Sequence, residues 1–106
     1  LQWVNMKVPD GEDYIELMVY ADPPSAIRLG SMNHISLEVA DVTKTAATLE
    51  ARPTYKDYGR PLTVRTGINR KRQLNVFDPD STRTEFMEPK TVDGVPAPSS
   101  TAKPPR

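Results

Sequence analysis

Cysteine is absent from this chain, which excludes disulfides and thiolate metal sites and leaves the compartment open. Histidine is nearly absent, with His34 alone. No apolar run comes near the roughly 18 residues that a transmembrane helix needs. A soluble protein without a membrane partner is therefore expected, cytoplasmic by default. Net charge is lacking as well, because 14 Lys and Arg cancel 14 Asp and Glu. That balance removes the basic surface on which salt-dependent nucleic-acid binding rests. An initiator Met is missing, and the chain enters a strand-like segment almost at Leu1. This reads as a fragment of a longer product, with any signal peptide lying upstream. The 106 residues present amount to one domain's worth, with a modest core.

What the chain does contain is an internal duplication. Asn5, Pro9 and Asp10 recur seventy positions on as Asn75, Pro79 and Asp80. Each copy continues through a turn into a strand-like run with one acid, Glu16 in the first and Glu85 in the second. A repeat has to be recognised before elements are assigned, because it dictates the fold. His34 opens the second copy, and the first copy would need residues upstream of Leu1 to hold an equivalent.

Along the chain, residues 1–6 and 13–20 are rich in β-branched, aromatic and aliphatic side chains around Pro9-Asp10-Gly11, which predicts a hairpin over 1–20. The Pro- and Gly-bearing stretch 21–31 reads as a linker. From 32 to 89 the pattern is βαβββ. Ile35, Leu37 and Val39 alternate with His34, Ser36 and Glu38 in a strand. Asp41 then caps a helix over Val42 to Glu50, where Val42, Ala46 and Leu49 share one face and Arg52-Pro53 ends it. Strands are predicted at about 62–66, 72–77 and 82–87. Residues 90–106 form a Pro-rich tail expected to be extended or disordered.

Alternation places His34 on the strand face opposite the helix-packing Ile35, Leu37 and Val39, and sets Glu85 with Arg83 and Met87 on one face of the last strand. Glu88, three positions beyond Glu85, falls on the other face and is its main rival. The Asn33-His34-Ile35 start and the run Asp78-Pro79-Asp80-Ser81-Thr82-Arg83-Thr84-Glu85 together resemble the vicinal oxygen chelate superfamily, which includes glyoxalase I, bleomycin-resistance proteins and extradiol dioxygenases. The resemblance covers about residues 1–89. It implies an α+β fold of paired βαβββ modules, glyoxalase-like, with the first module represented only by its last two strands. It also implies that His34, Glu85 and Glu16 are metal ligands, with Glu85 or Glu16 as catalytic base. Ser81 stands where that family usually has glycine.

Imidazole and carboxylate donors suit a divalent ion such as Zn, Ni, Mn or Fe. The activity the resemblance implies is a metal-dependent lyase or isomerase of the glyoxalase type, polarising adjacent oxygens of a small-molecule substrate. Two alternatives are a metal-free ligand-binding module of the bleomycin-resistance kind and an extradiol dioxygenase. Gln73, Asn75 and Phe77 share a strand face and would shape a pocket there. Arg65, Arg70, Lys71 and Arg72 cluster at one hairpin turn, either as a solvated turn or as a grip for an anionic substrate. The open sheet edges of a partial module predict a homodimer.

Overall fold

The computed structural model describes residues 1–26 and 34–106. Among them are six strands in two sheets and one α-helix, an α+β architecture. The chain divides into two compact units, residues 1–26 with 98–106, and residues 27–97. The linker expected over 21–31 lies outside the described residues from 27 onward, as do Met32 and Asn33.

In the first unit β1 (Gln2–Lys7) and β2 (Tyr14–Val19) form an antiparallel ladder, closed by a Val8 N–H bond to the Asp13 carbonyl at 3.0 Å. The register places Asn5 directly across from Glu16. The end of the Pro-rich tail lies along β1. Asn5 N–H donates to Ser99 O at 2.8 Å, Thr101 N–H to Trp3 O at 3.0 Å, and the Trp3 indole N–H to Pro98 O at 3.1 Å. Composition alone predicts no such order. Prolines are tolerated in this position because an edge segment need not donate at every residue. Under the tail Trp3 is only 9% exposed, whereas Met6, Ile15, Leu17 and Val19 on the other face remain exposed.

The second unit runs β3 (His34–Glu38), α1 (Val42–Glu50), a 3-10 turn (Pro53–Asp57), β4 (Val64–Thr66), β5 (Lys71–Phe77) and β6 (Arg83–Thr91). Its sheet order is β3-β6-β5-β4, with β3 parallel to β6 and the remaining pairs antiparallel. Asp41 accepts from Lys44 N–H at 2.8 Å as the N-cap, and the helix stops at Ala51 ahead of Pro53. Val42 and Ala46 meet Leu74 of β5 in a small buried core, flanked by Val39, Leu49, Leu62, Val64, Val76 and Phe86. Burial of these side chains on this face stabilises the unit by about 25 cal/mol per Å² of apolar surface removed from water. β6 runs past Pro89 to Thr91, beyond the predicted end, because a register shift between Lys71 and Gln73 lets the ladder resume at Lys71 opposite Thr91.

The expectation that Ile35, Leu37 and Val39 all pack beneath the helix holds for Val39 alone. Ile35 is 66% exposed and Leu37 46%. The nine-residue helix sits over β4, β5 and β6, and β3 is the edge strand on the side away from β4. Among the described residues, no helix is long and apolar enough to cross a membrane.

Candidate functional site on the polar face of the sheet

The helix covers one face of the four-stranded sheet, and residues of opposite parity make up the other. The parallel β3–β6 register sets His34 beside Arg83 and Ser36 beside Glu85, while the β5–β6 register sets Asn75 across from Glu85 and Phe77 across from Arg83. All of these side chains therefore share the face away from α1.

At its centre His34 Nε2 lies 3.8 Å from Glu85 Oε2, and each side chain is 11% exposed. Ser36 Oγ donates to Glu85 Oε1 at 2.9 Å, which fixes the carboxylate's orientation. Arg83 approaches from the other side, its Nη2 2.6 Å from His34 Nδ1 and 3.1 Å from Nε2. A guanidinium only donates, and with both ring nitrogens this close to Nη2 the acceptor is set by the imidazole's tautomer.

One end of the face is closed by Phe77, whose ring carries the Arg60 guanidinium 4.8 Å from its centroid and whose N–H donates to Tyr58 Oη at 3.1 Å. The other end is closed by Gln73, Asn69 and Met87. Gln73 Nε2 donates to Asn69 Oδ1 at 3.3 Å, and Asn69 Nδ2 lies 3.4 Å from Met87 Sδ. A Cβ at Gly67 would meet the Gln73 amide, the end of a flexible side chain that would have to turn aside. Two polar atoms, Asn75 Oδ1 and Arg83 Nε, are buried on this face without a hydrogen-bond partner.

The residues expected to act together are thus brought together in part. His34 and Glu85 meet. Glu16 belongs to the hairpin unit, exposed on β2. Glu88 is separated from Glu85 as its parity requires, and its Oε1 accepts from Val42 N–H at 3.1 Å at the start of α1. Arg70 is committed to the turn after β6, bonding Asp93 at 2.9 Å and Val95 O at 3.1 Å. Among the described residues no group of three or more His, Cys, Asp or Glu side chains is placed to hold a metal ion. Residues 27–33 contain none of these types. Within the second unit His34 and Glu85 offer two donors, with the Arg83 guanidinium seated against the imidazole. The group that sequence reasoning missed in the site is Arg83. Its parity with Glu85 was legible, but its contact with His34 depends on β6 lying beside β3.

No family model, curated protein or solved structure matches this chain.

Proposed function

We propose that the chain is a ligand-binding module of the metal-free, bleomycin-resistance-like kind, built on a glyoxalase-like βαβββ unit and taking a small anionic molecule on the polar face of its sheet. The observation that supports this is Arg83. Its guanidinium is anchored at His34, and no carboxylate lies within ion-pair distance of it among the described residues. Arg60 adds a second cation over the neighbouring Phe77 ring. A partly buried guanidinium without a counter-ion is costly, and a carboxylate or phosphate offsets that cost through paired N–H donors. Phe77 offers a flat apolar surface for the body of the ligand. Glu85, tied to Ser36, keeps the ligand's charge at the Arg83 end by repulsion.

Calorimetric titration with benzoate and phenylphosphonate tests this. Binding of at least one probe is expected, reduced at least tenfold in Arg83→Gln. Wild-type protein that binds neither probe, or an Arg83→Gln variant that binds as well as wild type, would overturn the reading.

A second reading is favoured by the close approach and low exposure of His34 and Glu85. It is a metal-dependent lyase or isomerase resembling glyoxalase I, or, with iron, a dioxygenase, in which these two side chains supply donors to Zn, Ni, Mn or Fe. It requires further donors and an Arg83 turned away from the imidazole. Native mass spectrometry after incubation with zinc, nickel, manganese or iron decides. An ion retained until chelator is added, and lost in both His34→Ala and Glu85→Gln, would replace the first reading with this one.

A further inference from the structure

We infer that the ligand of the polar face is a zwitterion, an α-amino acid with an aromatic side chain, whose carboxylate pairs with Arg83 and whose ammonium donates to Asn75 and Glu85. The inference rests on the anion reading above and adds a second charge to it. The sheet register orders the face in two rows, His34, Arg83 and Phe77 in one and Ser36, Glu85 and Asn75 in the next. Arg83 and Glu85 therefore stand two residues apart on one face of β6, their Cα atoms separated by about 7 Å at the usual strand rise. The ion pairs among the described residues do not include one between them. Opposite charges on one face that leave each other unneutralised match a molecule that carries both.

Each row also holds one atom that the fold leaves unused. Arg83 Nε is a buried donor without a hydrogen-bond partner, and Asn75 Oδ1 a buried acceptor without one. Protein interiors seldom leave such atoms unpaired. In kind, the two fit the two ends of an amino acid. A carboxylate accepts several N–H bonds from one guanidinium, and Nε–H adds a donor to that fork. An ammonium carries three N–H donors and no acceptor, which suits a place lined by acceptors alone. Asn75 Oδ1 is one of these, and Glu85, directly across the ladder, supplies the other. Ser36 Oγ holds Glu85 Oε1 at 2.9 Å, while Oε2 stands 3.8 Å from His34 Nε2, beyond hydrogen-bond length. A hydroxyl in the same place would satisfy Asn75 with its one proton and turn lone pairs toward Glu85, so the charge of the site selects the ammonium. Phe77, in the Arg83 row, receives the aromatic side chain.

Calorimetric titration of the full chain with L-phenylalanine and with 3-phenylpropanoate tests this, because the two probes differ only in the ammonium. Wild type is expected to bind phenylalanine at least about tenfold more tightly, the scale of one charge-assisted hydrogen bond. That ratio is expected to fall to about one in Asn75→Leu and to rise in Asn75→Asp, each with the circular dichroism of wild type. An asparagine that served only the fold would not move the ratio in opposite directions. Equal binding of the two probes by wild type, or a ratio indifferent to both substitutions, would overturn the inference and leave the anion reading standing. Wild type that binds neither probe would overturn the anion reading as well.

Discussion

Asn75 stands directly across from Glu85 on the β5–β6 ladder, and its Oδ1 is buried without a hydrogen-bond partner. The same relationship recurs in the hairpin unit, where Asn5 stands across from Glu16 and its Oδ1 is likewise buried and unpartnered. The turns joining the strands differ by one residue, 8–13 in the hairpin and 78–82 in the sheet, yet the Asn–Glu opposition is the same in both. What the duplication repeats is therefore a cross-strand pair and not merely a turn sequence. Buried polar atoms left unpaired twice at equivalent positions are unusual enough to mark the face on which they lie.

The turn at 78–82 holds Ser81 at φ 68°, in the left-handed region that glycine occupies without strain. Asp78 receives N–H bonds on its carbonyl from Ser81 and on its side chain from Thr82, and these keep the turn closed. Ser81→Gly is expected to stabilise the protein by about 0.5–1 kcal/mol, the relief of left-handed strain less the greater freedom of glycine in the unfolded chain. Urea denaturation measures it, and an unchanged or lowered midpoint would refute the strain argument. Arg70, at φ 62°, should not gain in the same way, because Arg70→Gly also loses the bonds to Asp93 and Val95.

Much of this was legible in the sequence. The helix from Val42 to Glu50 followed from Asp41, the apolar spacing and Pro53, all local signals. Parity alone separated Glu85 from Glu88 and put His34 opposite Ile35. Three features were not legible, each for a non-local reason. The His34–Arg83 contact needs β6 to lie beside β3, which no spacing along the chain encodes. Exposure of Ile35 and Leu37 depends on how far a short helix reaches across the sheet. The order at Pro98 to Thr101 depends on the free edge that β1 offers, whereas composition reports only what a segment does alone.

Glu88 has a structural task that its sequence position did not disclose. Its carboxylate accepts from Val42 N–H, one of the unpaired donors at the first turn of α1, while Asp41 takes Lys44 N–H. A negative charge there also opposes the positive end of the helix dipole. Glu88→Ala should cost about 1 kcal/mol, as loss of a cap does, and leave any ligand or metal affinity of the polar face unchanged. Loss of binding with unaltered stability would return Glu88 to candidacy for the site.

Asp93 is held below the ordinary carboxylate range, chiefly by the Val95 N–H, with help from Thr91 and the Arg70 guanidinium. A carboxylate depressed on folding stabilises the folded state above its unfolded value, and that contribution fades as pH falls through the lower folded value. The turn after β6 should therefore keep its structure at pH 3.8, the ordinary value for the group, and loosen only in more acid solution. Carbon NMR titration of the Asp93 carboxyl reads this directly. A midpoint at or above 3.8 would contradict it, and Asp93→Asn should abolish the acid-induced change in the Val95 amide signal.

Trp3 is the chain's one tryptophan, so its fluorescence reports on a single place. The indole is 9% exposed, and its N–H is bonded to Pro98 O. Removing residues 98–106 takes away that acceptor, the Ser99 carbonyl that receives Asn5 N–H, and the Thr101 N–H that donates to Trp3 O. A bare two-stranded hairpin is marginal in water, so the tail is what completes this small sheet. Truncation is expected to shift the emission of Trp3 to the red and to make it accessible to iodide quenching, while helix α1 in the other unit keeps its circular dichroism signal. Emission unchanged by truncation would mean that the indole is shielded by something other than the tail.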